Sequence, residues 1–239
     1  MKKVILAFYL VLFSTGQISA SCPEKLSDAG YSIIKEFEGF KGSAYSCVAK
    51  AQTIGYGHVI KRNDKHLEQA SVQANRIGYP YSGLSLNNSQ AAELFKLDVN
   101  DVVAAVVKQL KAQNLTYKQQ HLNAYTSLFY NVGTGCIYNR SKGRPDTTIH
   151  YFNNRAKAAD QFFSYCTVNR KVNSGLFKRR LVEACIFLDV KKAVDAIKIV
   201  KTALPDSLLN KRLNSIYNSK YYISLAQQHL DNYYKTTRV

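Results

Sequence analysis

Apolar residues recur along much of this chain at the three- and four-residue spacing of amphipathic helices. The first such stretch begins at Ser27 or Asp28, either of which can act as an N-cap, carries Ile33, and should end near Gly39. Residues 40–60 change to an alternating pattern rich in Gly, Tyr and Thr. This second pattern predicts a small β-hairpin region.

The chain beyond this hairpin region is predicted to be mainly helical up to about residue 190. Residues 61–85 are polar and irregular, and a long apolar stripe then runs from Ser89 to Leu110. Further helices are predicted for residues 122–132, 156–165 and 178–190. The fold class that follows is α+β, mainly helical, with a small sheet and a helical lobe.

The N-terminus has the layout of a secretory signal peptide. Lys2 and Lys3 precede an apolar run over residues 4–13, and small and polar residues follow as far as Ser21. The run is too short to span a bilayer, which takes about 20 residues. We therefore expect residues 1–21 to be cleaved and the protein to be secreted or periplasmic. An uncleaved segment acting as a membrane tether is the alternative.

The other end of the chain, residues 191–239, is predicted to be a basic helical extension. Helical patterns lie on both sides of Pro205, and the segment contains nine Lys and Arg against three Asp. A helical pair packed on the preceding domain, residues 22–190, is the favoured interpretation. The alternative is a cell-wall or membrane-surface contact made by the cations and by tyrosines at positions 221, 222, 233 and 234.

Composition limits the class of partner. The 239 residues are 46% hydrophobic, enough for a sizeable core, and carry a formal net charge of +17. Such a surplus favours a polyanionic partner, either nucleic acid, an anionic membrane or an acidic wall polymer. Export makes nucleic acid unattractive, so anionic cell-wall polymers are the expected partners of a monomeric protein.

Five cysteines, Cys22, Cys47, Cys136, Cys166 and Cys185, are an odd number for an exported chain. Disulfides can form and persist outside the cytoplasm, so they are expected here, with at least one thiol free or paired elsewhere and the connectivity open. No CxxC pair exists and no His lies at metal-ligand spacing from a Cys. The sequence therefore predicts neither a zinc site nor a cofactor.

Candidate chemistry concentrates between Glu38 and His58. Glu38 ends an apolar-faced helix just before a glycine, where a carboxyl group can be partly desolvated and suited to donating a proton. Cys47 and Thr53 follow on the predicted hairpin and could face Glu38 across a cleft, with a water held between them. Taken singly, Glu38 would be an ordinary helix-end charge and Cys47 half of a disulfide.

The ordered set of motifs resembles the phage-type lysozymes, the endolysins of glycoside hydrolase family 24. Their signature is Glu, eight residues, Asp or Cys, five residues, Thr, and Glu38, Cys47 and Thr53 have those intervals. Further motifs of the family follow in order: Thr-Ile-Gly-Tyr-Gly-His at 53–58, Ala-Glu-Leu-Phe at 92–95 with Asp98-Val99, Asn-Val-Gly at 131–133, and Gly-Leu-x-x-Arg-Arg-x-x-Glu at 175–183.

This resemblance implies a muramidase that cuts the β-1,4 bond between N-acetylmuramic acid and N-acetylglucosamine in peptidoglycan. It implies that Glu38 is the general acid, that Cys47 replaces the more usual Asp, and that Thr53 positions the water of an inverting reaction. Further roles implied are sugar binding by Tyr45, Tyr130 and Asn131, and support by Arg179, Arg180 and His58. One of the two arginines is expected to pair with Glu38, and His58 is expected to be a structural hydrogen-bonding residue.

Two hypotheses from different classes remain at this point. One is a bacteriolytic muramidase. The other is a non-catalytic, cationic protein that binds the wall or perturbs membranes on a lysozyme-like fold, because fold alone does not fix function. The complete set of Glu38, Cys47 and Thr53 favours the enzyme.

Overall fold

The computed structural model describes residues 21–46, 51–70, 83–190 and 219–236. Most of the predicted signal segment, the candidate residue Cys47 and the predicted helices beside Pro205 lie outside the described residues. The mainly helical α+β fold predicted from the sequence is confirmed.

Helix α1 (Asp28–Glu38) begins and ends where the sequence predicts. The Ser27 hydroxyl accepts a hydrogen bond from the Gly30 backbone N–H, and this caps the first turn. At the other end Gly39, with φ of 67°, donates its backbone N–H to the Lys35 carbonyl at 3.1 Å. These two caps place Glu38 at the last position of the helix.

The region predicted as a hairpin is a three-stranded antiparallel sheet in the order β1-β2-β3. Its strands are β1 (Lys41–Ser46), β2 (Gln52–Gly55) and β3 (His58–Val59). Thr53 on the central strand lies opposite Tyr45 on one side and Val59 on the other. The register between β1 and β2 is irregular between Lys41 and Tyr45.

Helices make up most of the remaining described chain. They are α2 (Lys65–Gln69), α3 (Asn88–Ala112), α4 (Gln119–Val132), α5 (Thr147–His150), α6 (Arg155–Phe162), α7 (Ser174–Phe187) and α8 (Ser219–Thr236). Two short hairpins, β4 (Tyr138–Asn139) with β5 (Arg144–Pro145) and β6 (Thr167–Val168) with β7 (Lys171–Val172), lie between them. None of the described helices is long and apolar enough to cross a membrane.

The long helix α3 contributes to two hydrophobic cores, one with its first turns and the other with its later turns. The smaller core belongs to the sheet and α2 and includes Ile54 and Leu67, with Leu94 from the first turns of α3. The larger core belongs to the helical lobe and takes in the later α3 residues from Phe95 to Leu110 together with α4, α6 and α7. Helix α3 therefore joins the sheet to the helical lobe, and the candidate active site lies where the two meet.

Several boundaries differ from the sequence-based prediction. Helix α2 lies inside the segment predicted as irregular. It was missed because its five residues are mostly polar and show no helical spacing of apolar positions, so that the Asp64 N-cap is the one sign of a helix. Helix α7 begins at Ser174 rather than near residue 178, since the Asn173 carboxamide oxygen accepts from Leu176 N–H and caps it there. Its end at Phe187 is also earlier than predicted.

The described part of the C-terminal extension is a helix, α8, which lies beyond the two helices predicted beside Pro205. The Tyr222 ring packs against Phe163 and Phe177, with centroids 5.5 and 4.9 Å away, and Ala226 is fully buried. The described part of the extension thus packs on the helical lobe. Tyr221, the neighbouring tyrosine, is 59% exposed.

The disulfide predictions need correction. No disulfide joins Cys22, Cys136, Cys166 and Cys185, the cysteines within the described residues. Cys166 and Cys185 are fully buried in the helical core, where they pack as small apolar side chains, whereas Cys136 is exposed. The expectation of disulfides, which rested on predicted export, therefore failed for these four cysteines.

Candidate active site

Glu38 projects from the end of α1 towards the helical lobe. Its side chain is 19% exposed, and Oε1 accepts a hydrogen bond from Arg179 Nη1 at 2.6 Å. Arg179, and not its neighbour Arg180, is thus the arginine that pairs with this carboxylate. The contact links α1 to α7 across the site.

Arg179 is held in place by a buried network between α4 and α7. Its Nη2 donates to the Ser127 carbonyl at 2.9 Å, and its Nε donates to Glu183 Oε1 at 3.1 Å. The Ser127 hydroxyl donates to the same Glu183 oxygen at 2.7 Å. The guanidinium group therefore has a fixed position from which one nitrogen reaches Glu38.

Arg180 supports a different part of the site. It is fully buried, with Nε 3.0 Å from Glu183 Oε2, and its Nη2 donates to the Asn131 side-chain oxygen at 2.9 Å. Burial lowers the pKa of Arg180, while the Glu183 carboxylate opposes that shift. Two buried arginines thus share one buried glutamate, and Asn131 is oriented through Arg180.

The turn between β2 and β3 lies directly against Glu38. Gly57 has φ of +91°, and a Cβ atom built there would come within 3.3 Å of Glu38 Oε2. The Tyr130 hydroxyl donates to the Tyr56 carbonyl at 2.8 Å and fixes this turn to α4. Burial raises the pKa of Tyr130. Tyr130 therefore positions the turn, besides being a candidate for sugar contact.

The remaining predicted site residues lie on the sheet or outside the described residues. Thr53 is 4% exposed, and its hydroxyl donates to the Ala51 carbonyl at 3.2 Å. Tyr45, its cross-strand partner, is partly buried, with the Lys41 ammonium 4.0 Å from its ring centroid. Cys47 follows β1 directly in the sequence, and its role stays a prediction.

His58 is a hydrogen-bonding residue, as expected from its place after the Gly-Tyr-Gly segment. Its Nδ1 lies 2.9 Å from Asp98, and its Nε2 lies 3.0 Å from Asp64 Oδ2. Burial disfavours its charged form, yet the two carboxylates together raise the pKa of His58. His66 also approaches Asp98, at 2.8 Å. No sequence pattern indicated a partner for His66, because Asp98 lies 32 positions away.

Comparison with known proteins places this arrangement in context. A family model described as phage lysozyme matches residues 35–183. An endolysin of Bacillus phage B103 is 34% identical over 167 residues, which are 68% of this chain and 54% of that protein. An endolysin of Acyrthosiphon pisum secondary endosymbiont phage 1 is 27% identical over 164 residues, which are 68% of this chain and 97% of that protein. The chain spans about half the length of the Bacillus phage relatives it matches.

Solved structures agree with these sequence matches. The endolysin from Escherichia coli O157:H7 phage FAHEc1 superposes with a TM-score of 0.51 at 28% identity, covering 70% of this chain and 95% of that one. The muramidase domain of SpmX from Asticaccaulis excentricus also gives a TM-score of 0.51, at 24% identity, over 69% of this chain and 97% of that domain. The second likeness concerns the fold alone.

Proposed function

Because this chain belongs to the phage lysozyme family, we propose that it is an exported muramidase that hydrolyses peptidoglycan. The observation that carries this proposal is the placement of Glu38, whose Oε1 is bound by Arg179 and whose Oε2 faces Gly57. A carboxyl group bound by Arg179 through one oxygen, with the other oxygen beside the glycine turn, has the defined position that proton donation to a bound substrate needs.

In the proposed reaction Glu38 donates its proton to the oxygen that bridges N-acetylmuramic acid and N-acetylglucosamine. The bond from C1 of the muramic acid to that oxygen breaks while a water attacks C1 from the opposite face. Arg179 stabilises the carboxylate that Glu38 becomes, because its Nη1 already lies 2.6 Å from Oε1. Glu183 and Ser127 keep Arg179 in place while the charge develops.

Thr53 and Cys47 are proposed to hold the attacking water. The Thr53 hydroxyl donates its hydrogen bond to the Ala51 carbonyl, so the lone pairs of the hydroxyl oxygen remain to accept a hydrogen bond from water. A Cys47 thiolate then takes the second proton of that water as the new C1–OH group forms. A neutral Cys47 thiol would polarise the water only weakly.

Substrate contacts are proposed for residues that line the same junction. The side-chain oxygen of Asn131 is engaged by Arg180, which leaves its NH₂ group to donate to a sugar oxygen. Tyr45 and Tyr130 offer aromatic faces beside the sheet. The formal charge of +17 would hold the enzyme to anionic wall polymers.

Loss of wall-lytic activity in a Glu38→Gln variant tests the proposal. The amide keeps the shape of the side chain but cannot donate the proton, so clearing of purified peptidoglycan suspensions should slow by roughly 10²–10⁴-fold or more. Glu36→Gln, two residues earlier on an exposed position of α1, is the matched control and should clear at the wild-type rate. Undiminished clearing by Glu38→Gln would contradict the assignment of Glu38 as the acid, whereas absence of clearing by the wild type would support the non-catalytic alternative.

A further inference from the structure

Two imidazoles and a carboxylate converge beside the turn that contacts Glu38. His58 lies on β3, His66 on α2 and Asp98 on α3. Asp98 Oδ1 lies 2.9 Å from His58 Nδ1 and 2.8 Å from His66 Nδ1, and the three atoms lie within 4.8 Å of one another. We propose that His58, His66 and Asp98 form a zinc-binding site, a property that goes beyond the proposed hydrolysis.

The other nitrogen of each imidazole faces a second carboxylate. His58 Nε2 lies 3.0 Å from Asp64 Oδ2, and His66 Nε2 lies 3.3 Å from Asp101 Oδ2. When a cation takes the Nδ1 lone pair, the ring proton lies on Nε2, and the carboxylate beside Nε2 accepts a hydrogen bond from it. Metal-binding histidines nearly always have such an outer carboxylate or carbonyl partner.

Backbone contacts hold the outer carboxylate of Asp64 in place. Asp64 is 8% exposed and accepts hydrogen bonds from the backbone N–H groups of Lys61, His66 and Leu67. Its position as N-cap of α2 fixes both the start of that helix and the orientation of the His58 ring. The three ligands are thus presented by elements that are already ordered.

Three carboxylates surround the two imidazoles, those of Asp64, Asp98 and Asp101, each within 3.3 Å of a ring nitrogen. This concentration of acidic groups would be offset by a divalent ion between the rings and Asp98. Two imidazole nitrogens and one carboxylate oxygen are a donor set that suits zinc.

Ligand spacing fits the same ion after a small adjustment. Donor atoms about 2.0–2.1 Å from a tetrahedral zinc lie about 3.3 Å from one another. The contacts to Asp98 are 2.8 and 2.9 Å and must lengthen by about half an ångström, while the third separation, which is at most 4.8 Å, must come to the same value. The His66 side chain can make this adjustment, because it is 24% exposed and has room to move.

An open cavity supplies access and a free coordination position. It has a volume of about 230 Å³ and is lined by His58, His66, Asp98, Asp101, Tyr130 and Thr134, among others. Zinc here would tie β3, α2 and α3 together and steady the turn at Gly57 beside Glu38. Bound zinc should therefore raise the thermal unfolding midpoint.

Zinc titration of the full mature protein, purified without a histidine tag and stripped with a chelator, tests the site. Competition with a chromogenic zinc indicator should give one tight site per chain in the wild type. His66→Gln should weaken zinc binding by at least about tenfold, as loss of a ligand or its partner does. His150→Gln, which changes an exposed histidine elsewhere, should bind as the wild type does.

Two further readouts make the outcome decisive. Zinc should raise the unfolding midpoint of the wild type and of His150→Gln but not of His66→Gln, and X-ray absorption should report nitrogen and oxygen ligands. Absence of a tight site would show that the cluster is an ion-pair network only. Equal affinity in His66→Gln, or sulfur ligands from a thiol such as Cys136, would equally overturn the proposal.

Discussion

Gly57 is a single position on which the geometry of the proposed acid depends. Its φ of +91° is strained for any residue with a Cβ, at a cost of about 1–3 kcal/mol. In Gly57→Ala the new methyl group would also press on Glu38 Oε2, which lies only 3.3 Å from the ideal Cβ position. We expect wall-lytic activity to fall by roughly tenfold to a hundredfold, measured as the initial rate of peptidoglycan clearing.

Gly83→Ala separates the two causes. Gly83 has a similar φ of +80°, but no atom of the described residues lies within 4 Å of its ideal Cβ position. This variant should lose stability to a similar extent while it keeps wild-type activity. Equal loss of activity in both variants would mean that strain, and not contact with Glu38, accounts for the effect of Gly57→Ala.

Cys47 is proposed to have the second catalytic role. Cys47→Ala removes the group that would accept the proton of the attacking water, so activity should fall by roughly 10²-fold or more. Cys47→Asp restores the commoner residue of the motif and should keep measurable activity. A thiol-alkylating reagent should inactivate the wild type and a Cys136→Ser control, but not Cys47→Asp. Full activity in Cys47→Ala would contradict any catalytic role.

Helix α4 contains a histidine whose burial makes stability depend on pH. His121 is 6% exposed, and its Nδ1 accepts a hydrogen bond from the Lys118 backbone N–H, a contact that requires an unprotonated Nδ1. Burial, with smaller contributions from Arg155 and Lys118, lowers the pKa of His121 from 6.5 to about 4. The unfolded chain therefore binds a proton at a higher pH than the folded chain does.

The sign of the effect follows from proton linkage. Between pH 6.5 and about 4 the unfolded state holds more protons at His121, so the free energy of unfolding should fall as pH is lowered through that window. Urea unfolding at a series of pH values measures it. His121→Gln should flatten the dependence, whereas the exposed control His150→Gln should leave it unchanged. An equally steep dependence in His121→Gln would refute this account.

The success of the sequence-based prediction varied from element to element for physical reasons. Helices α1, α3 and α4 were predictable because each has a long amphipathic face. Helix α2 and the hairpins β4–β5 and β6–β7 were missed because such short elements have too few residues for a period to emerge. The position of helix α8 was missed because half of its apolar residues are tyrosines, whose packing depends on partners such as Phe163 and Phe177.

Prediction of the site residues from the sequence was limited in a similar way. The sequence narrowed the partner of Glu38 to two adjacent arginines, but adjacent helix positions point about 100° apart, and only packing selects one. Arg179 reaches Glu38, while Arg180 turns to Asn131. The His58, His66 and Asp98 cluster was not predicted, because its members come from three elements separated by up to 40 positions.

Across the whole molecule, the surplus of positive charge should govern attachment to the wall. Salt screens such attraction, since the Debye length falls from about 10 Å at 0.1 M to about 3 Å at 1 M ionic strength. Co-sedimentation of Glu38→Gln with walls that retain their anionic polymers should therefore decrease as salt rises. Walls stripped of these polymers should bind less protein at low salt. Salt-independent binding would argue against an electrostatic partner.

The chemical identity of the fragments released from purified peptidoglycan tests the central claim most directly. A muramidase leaves N-acetylmuramic acid at the new reducing end, because water becomes attached to C1 of that sugar. Borohydride reduction and mass spectrometry of wild-type digests should therefore reveal reduced N-acetylmuramic acid, and Glu38→Gln digests should contain almost none. New N-acetylglucosamine reducing ends, anhydro sugars or free peptide amines in place of that product would contradict the assignment.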